Sequence, residues 1–337
     1  MENKKVAVVI LSWNGRKYLE EFLPSVVQHT STQLCEIIVA DNFSTDDTID
    51  FLNKNYPTIR IIKNTRNGGY AGGYNDALKQ VQAQYYVLLN QDIEVTENWV
   101  EDVIAEMDKD ENIAAAQPKL RAYLKKDEFE YAGASGGYVD RFGYAYCRGR
   151  MFDTIEKDTG QYDDVAEIFW ATGACMFVRA DAYWRTGGLD EDFFAHQEEI
   201  DLCWRFKSLG KKIIVAPKSM VYHLGGGSLP YGNPRKAFLN FRNNLWMMGK
   251  NLPLGNAIFK IPFRIMLDLI SGVYYTLKNK SLTDLGAIIK AHWAFVTSIG
   301  TISAKRDKFP YFSSKGLSNI SVVWKYFIKG KKKFSDL

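Results

Sequence analysis

VAVVILSWNGRKYLEEFL, residues 6–23, passes from an apolar run through a polar turn into a helical pattern. Val6 to Leu11 reads as a buried strand; it is too short for the apolar core of a secretory leader. Ser12-Trp13-Asn14-Gly15 interrupts it. Tyr18, Leu19, Phe22, Leu23, Val26 and Val27 then recur at helical spacing, with Pro24 expected to kink or shorten the helix. The alternation repeats. Strands are predicted at 36–41, 59–63, 85–90 and 113–117. STDDTIDFLNKNYP (44–57) opens with Ser44 and Asp47 at capping-box spacing and stops at Pro57. Such alternation predicts an α/β fold with a mostly parallel central sheet flanked by helices on both faces.

Beyond residue 120 the periodicity fails. EYAGASGGYVDRFGYAYCRGRMFD (130–153) is rich in Gly and Tyr, which suggests hairpins or a loop over a cleft. EIFWATGACMFVR (167–179) reads as a strand, followed by short helices near 180–187 and 197–209 and a strand at 211–223. After the Gly225–Gly227 run the pattern is helical. The expected organisation is a body over 1–249, split into halves at 1–120 and 121–249, with a helical C-terminal extension over 250–337.

Composition limits the function classes. Of 337 residues, 46% are hydrophobic and 24% charged, the balance of a folded soluble protein. Cys35, Cys147, Cys175 and Cys203 have neither disulfide nor metal spacing and read as reduced thiols of a cytoplasmic protein. The net charge of +4 is unevenly shared: residues 250–337 carry 15 Lys and Arg against four Asp, so the body is weakly acidic. No nucleic-acid partner is expected.

The extension is aromatic as well as basic. IFKIPFRIMLDLISGVYYTLK (258–278) carries Lys260, Arg264 and Asp268 at intervals of four, and GAIIKAHWAFVTSIGTI (286–302) carries only Lys290. Neither offers the ~20 uninterrupted apolar residues of a spanning helix. Two readings stand: basic helices lying on an anionic membrane, or a helical subdomain packed on the body with these charges as its solvated face. The first places the protein peripherally on the inner face of the plasma membrane.

The polar residues converge at one place. In an open parallel sheet, ligands bind at the carboxyl ends of the strands. Here those ends are Ser12-Trp13-Asn14-Gly15, Asp41-Asn42, Asn67-Gly68-Gly69 and Asn90-Gln91-Asp92. Neither G-x-G-x-x-G nor G-x-x-x-x-G-K-[ST] occurs at the required places. An acidic edge repels bare phosphate, so a phosphorylated ligand requires a hard divalent cation, Mg²⁺ or Mn²⁺. Asp92 is expected to hold the cation that holds a diphosphate.

VVILSWNG, IIVADNFSTDDT, NGGYAGGYNDAL, VLLNQDIEV, WATGACMFVR, GGLDEDFF, EEIDLCWR and VYHLGGGS stand in the order found in family 2 glycosyltransferases of the GT-A fold. Over residues 5–250 the chain resembles their rhamnosyltransferase-like branch. The resemblance implies inverting transfer of a sugar from a nucleotide-diphosphate donor to a glycan or lipid-linked saccharide acceptor. It implies nucleoside contacts from Ser12, Asn14 and Asp41, and nucleotide contacts from Gly69 and Asn75. Asn90-Gln91-Asp92 occupies the place of the D-x-D motif, with Asn90 for its first acid and Asp92 as metal ligand. His223 matches a histidine binding metal or diphosphate. Trp170 and Thr172–Ala174 match the strand beside the sugar pocket.

Inverting transfer needs a carboxylate that takes the acceptor's proton. HQEEIDLCWRFKSLG (196–210) offers Glu198, Glu199 and Asp201. Leu202, Cys203, Phe206 and Leu209 mark an apolar stripe into which Glu199 projects, with Glu198 at its margin. Asp201 points elsewhere, at i,i+4 spacing from Arg205. Acids also favour a helix start for its dipole alone, which is enough for Glu198. The family's catalytic Glu-Asp pair aligns with Glu198-Glu199. Arg235 and Arg242 could meet either the diphosphate or an acidic acceptor. A nucleotidyltransferase would need a basic glycine-rich loop where this chain has Trp13-Asn14-Gly15-Arg16; a non-catalytic sugar- or membrane-binding module is the other alternative.

Overall fold

The computed structural model describes residues 4–225 and 234–337. The first apolar runs become β1 (Val6–Ser12), β2 (Cys35–Asp41), β3 (Arg60–Lys63) and β4 (Tyr85–Asn90), all paired in parallel. Helices α1 (Arg16–His29), α2 (Thr48–Asn55) and α3 (Gly69–Leu78) return the chain between them. Along β1, Ala7 and Val9 enter one core, with Ala71 and Tyr74 of α3. Val6, Val8 and Ile10 enter the other, with Leu19 and Val26 of α1. Two-residue alternation in a strand covered on both sides gives this pattern.

After β5 (Ile93–Val95) and α4 (Trp99–Asp108), β6 (Ile113–Ala122) crosses the sheet. The aperiodic stretch folds as a small four-stranded meander of β7 (Gly137–Val139), β8 (Ala145–Cys147), β9 (Arg150–Met151) and β10 (Thr154–Ile155). Then come β11 (Ala166–Glu167), β12 (Cys175–Arg179), α5 (Ala180–Arg185), α6 (Glu198–Ser208) and β13 (Lys212–His223). The main sheet runs β11–β13–β6–β12–β4–β1–β2–β3, with β5 also on β13. β5, β11 and β12 run against the rest. The expected GT-A-type α/β architecture is present. α7 (Pro234–Asn251), α8 (Leu254–Asn279), α9 (Thr283–Thr297) and α10 (Ile299–Lys308) form the helical C-terminal region.

Several local expectations differ from the structure. α1 runs through Pro24, because Pro24 and Glu20 are both exposed and water can satisfy the carbonyl that proline leaves unbonded. Ser44 caps no helix: Asp46 accepts from Thr48 at the start of α2, while Ser44 Oγ accepts from the Asn14 N–H. Residues 168–174 are a loop between β11 and β12 rather than strand. The boundary placed at 249/250 falls inside α7. Arg264 and Asp268 are buried, not solvated. All four cysteines are unpaired and buried, as expected.

Candidate active site

β1 and β2 end in register, Ser12 opposite Asp41. Both side chains are buried, and Ser12 Oγ and Asp41 Oδ1 have no hydrogen-bond partner. The other Asp41 oxygen accepts the Ser44 N–H at 3.1 Å. A buried carboxylate oxygen without a donor costs about 1–3 kcal/mol or more, so this edge suits a ligand that brings an N–H. Asn14 lies beside it but is already engaged. With φ 47°, it accepts from the Thr45 N–H and tethers the β1 turn to the β2 turn.

Gly69 and Asn75 shape the edge without offering it free groups. Gly69 has φ +67°, and a Cβ there would lie 2.4 Å from the Phe194 carbonyl oxygen, so only glycine fits. The same carbonyl accepts from the Tyr70 N–H, occupying the start of α3. Asn75 accepts from Tyr183 Oη and the Leu189 N–H, and donates to the Leu189 carbonyl and Glu191. Its capacity is spent inside the protein. Trp170 is likewise buried, with its indole N–H donated to the Tyr138 carbonyl. Both side chains spend their polar groups inside the protein.

At the end of β4, the half-buried Asn90 donates its backbone N–H to the Ala174 carbonyl. Asp92 faces His223 from the end of β13, with Oδ1 to Nε2 at 3.3 Å. His223 Nδ1 lies 3.2 Å from Glu130 Oε1, too poorly aligned for a hydrogen bond but close enough for strong attraction. Burial disfavours the imidazolium, yet Asp92 and Glu130 outweigh it and push His223 up to about 10. Burial also opposes ionised Asp92, but His223 beside it holds that carboxyl below its ordinary value. Asp92 thus has a positive partner that no neighbouring residue in sequence supplies. Gly226, Gly227 and Ser228, part of the glycine run after His223, lie outside the described residues.

Cation fit can be tested on this geometry. Neighbouring ligands of an octahedral ion with bonds near 2.1 Å stand about 3 Å apart, close to the Asp92–His223 separation. Among the described residues, no group of three or more His, Cys, Asp or Glu is arranged to hold an ion. Two protein donors leave positions for water and phosphate oxygens, as Mg²⁺-type sites usually do. The pair therefore fits a cation that arrives with a diphosphate. His223 would have to release its proton to bind it.

Glu130 also joins this end of the site to the base. Its second oxygen accepts the Ala132 N–H, and the Ala132 carbonyl accepts Thr172 Oγ1 at 2.6 Å. The next carbonyl in that loop, Gly173, accepts Tyr70 Oη at 2.6 Å. A Cβ built on Gly173 would stand 3.6 Å from Glu199 Cβ. Asn90, two residues before Asp92, and Glu199 thus border one loop, residues 172–174.

At α6 the two glutamates differ in a way the helical wheel did not give. Nearly the whole helix is buried, so there is no single apolar stripe. Glu198 is the buried member and Glu199 the half-exposed one. Burial, then the neighbouring Glu199, pushes Glu198 well above the ordinary carboxylate value. Burial raises Glu199 to about 7, against the backbone N–H groups of the first turn, and its Oε2 has no partner. Asp201 is fully buried, pairing with Arg205 as expected and also with Lys250.

The segment before α6 is held from outside. Phe194, His196 and Gln197 have φ of 65°, 70° and 74°, a strained run for non-glycine residues. Asn243 of α7 donates Nδ2 to the carbonyls of Phe193, Ala195 and His196 at 2.8–3.0 Å. Arg242 donates to the carbonyls of Asp192 and Phe193, and its Nε to Asn243 Oδ1. Arg242 is therefore a clamp on the loop; Arg235 lies over the Phe194 ring. Glu130 was not singled out from the sequence.

The model of the family described as "Glycosyl transferase family 2" matches residues 7–186. The chain is 25% identical over 240 residues to the N-acetylglucosaminyl-diphospho-decaprenol L-rhamnosyltransferase of Mycobacterium tuberculosis (strain ATCC 25618 / H37Rv), covering 64% of this chain and 75% of that protein. GalNAc-T7, solved with UDP, GalNAc and Mn²⁺, superposes with TM-score 0.59 at 15% identity over 92% of this chain; the chain spans 59% of that structure. A mannosyltransferase from Pyrobaculum calidifontis, solved with GDP-Man and Mn²⁺, gives 0.55 at 13% identity and covers 88% of each chain. These structural likenesses carry the fold.

Proposed function

The chain belongs to glycosyl transferase family 2, and from that premise we propose that it transfers a sugar, with inversion, from a nucleotide-diphosphate donor to a hydroxyl of a lipid-linked or polysaccharide acceptor. Family membership argues against the nucleotidyltransferase reading, and a chargeable base poised near neutrality argues against a purely binding module. One observation carries the proposal: Glu199, with Oε2 unpartnered and a pKa raised by burial to about 7, borders the loop whose Ala174 carbonyl fixes Asn90 at the end of β4.

The chemistry follows from the residues. Asp41 Oδ1 accepts an N–H of the base, with Ser12 Oγ beside it. Asp92 and His223 would hold Mg²⁺ or Mn²⁺, which when bound neutralises the charge of the leaving diphosphate. Glu199 takes the acceptor hydroxyl's proton as that oxygen bonds to the anomeric carbon from the face opposite the phosphate. The carbon–oxygen bond to phosphate breaks, and the nucleotide diphosphate carries away the electron pair. Burial disfavours charge on Glu198 more strongly than on the half-exposed Glu199, so Glu199 is the member of the pair that ionises more readily.

The mycobacterial relative's name couples rhamnosyl transfer to a polyprenyl diphosphate-linked acceptor. This supports placing the chain on the rhamnosyltransferase-like branch and testing dTDP-rhamnose first, then UDP-sugars. Calorimetry with dTDP and UDP, with and without Mn²⁺, should show tight binding only with the ion. Asp92→Ala should lose that ion-dependent part. Mn²⁺-dependent nucleotide binding that survives undiminished in Asp92→Ala would remove Asp92 and His223 from the proposed role.

A further inference from the structure

α8 is built inside out. Its inward face carries Arg264 and Asp268, which are 5% and 0% exposed, joined at 2.7 Å, with Asp268 also accepting from Tyr144 and lying 3.5 Å from His292. Its outward face, at i,i+3/i+4 spacing, is Leu254, Ile258, Phe259, Phe263, Met266, Ile270, Val273, Tyr274 and Leu277, with Phe259 80% and Leu277 75% exposed. From 254 to 277 that face holds no exposed charge. At 1.5 Å per residue it runs roughly 36 Å. The sequence pattern of charges every fourth residue is real, but these charges bind the helix to the body instead of solvating it.

The apolar strip does not end at α8. α9 packs alongside, with Leu285 and Ile288 against Gly272, and exposes Ile289 and Trp293, with Leu282 exposed just before it. The ring of Tyr274 meets Phe327, next to exposed Trp324 and Ile328. Exposed lysines border this apolar ground: Lys278 and Lys280 at the end of α8, and Lys329, Lys331, Lys332 and Lys333 beyond Ile328. Monomeric proteins rarely expose so large a contiguous apolar area without a partner. Among the described residues no single helix is long and apolar enough to cross a bilayer. α9 and α10 together reach that length and composition but are bent by 58° at their junction.

We propose that the α8–α9 face, with Trp324, Phe327 and Ile328, is a monolayer-insertion surface for an anionic lipid bilayer. The apolar strip enters the headgroup–acyl boundary, the tryptophans lie at that boundary, and the lysines bordering the strip meet anionic headgroups. Lysine is depleted from the cores of protein interfaces, whereas basic residues flanking an apolar helical face are how interfacial helices bind. Charge complementarity thus selects lipid over a second copy of the chain. The inference is independent of donor, acceptor and base.

The test is sedimentation of the full-length protein with vesicles of phosphatidylcholine alone or with phosphatidylglycerol added, at low and high salt. The wild type should partition at least tenfold better into the anionic vesicles, with a salt-resistant remainder from the apolar face. Phe259→Asp with Ile270→Asp, both at exposed positions, should keep the wild-type Tm and lose roughly a hundredfold in binding. Lys329→Gln with Lys331→Gln should weaken only the salt-sensitive part. Failure of the wild type to bind either vesicle, or equal binding by the Asp pair, would overturn the proposal. A wild-type dimer that the Asp pair makes monomeric, without vesicle binding, would do so as well.

Discussion

Replacing Asn243 by Ala tests whether α7 positions the base. Asn243 is fully buried, and its amide serves three carbonyls of the loop that leads into Glu198-Glu199. Two amide hydrogens shared among three acceptors amount to about two hydrogen bonds, roughly 1–3 kcal/mol net. Deleting them also leaves buried carbonyls unsatisfied, at ~1–3 kcal/mol each unless the loop relaxes. The loop has reason to relax, because Phe194, His196 and Gln197 each hold left-handed backbone at a cost of about 1–3 kcal/mol. Relaxation relieves that strain, so the observed destabilisation should be about 2–3 kcal/mol rather than the full sum. Its functional consequence is the diagnostic one. A shift of about 1 Å in Glu199 is enough for ~10²-fold in turnover. Urea denaturation, nucleotide calorimetry and steady-state kinetics on Asn243→Ala should give lowered stability, unchanged nucleotide affinity and kcat reduced ~10–100-fold. Stability within ~0.5 kcal/mol of wild type, or an unaltered kcat, would refute the clamp.

Two further outcomes follow from the same geometry. The base must be ionised, so at saturating Mn²⁺ kcat/KM should fall with slope one as pH drops below about 7, the value burial gives Glu199; a profile flat from pH 5.5 to 8 would contradict that role. Asp41→Ala removes a buried carboxylate oxygen free to accept from the nucleobase, and should weaken nucleotide binding roughly 10- to 100-fold with kcat at saturation little changed, read by calorimetry and kinetics.

The sheet was legible because β1, β2 and β4 are largely apolar runs, each followed at once by polar residues. The same regularity located Ser12, Asp41, Asn90 and Asp92 at one edge. Glu130 was not legible: it sits in the aperiodic stretch, and its partner His223 arrives from the far strand β13. Residue type at a matched position also cannot reveal whether its hydrogen-bonding capacity is already used. Asn75 and Trp170 look like ligand contacts in sequence and are internal braces in the structure. Periodicity places Arg264 and Asp268 on one face of α8 but does not say which way that face points. The answer depends on Tyr144 and His292, which come from distant parts of the chain. Likewise, a helical wheel assigns Glu199 the more buried place only if one side of α6 is open to solvent, and neither side is.

Substitution of Glu199 by Gln, an isostere unable to accept the proton, reaches the centre of the account. Single-turnover rates should be compared at saturating Mn²⁺, donor and acceptor, once a competent donor is found. The expected result is a loss of ~10²–10⁴-fold in the transfer step with nucleotide affinity preserved. Transfer within a few-fold of the wild-type rate would show that some other group deprotonates the acceptor.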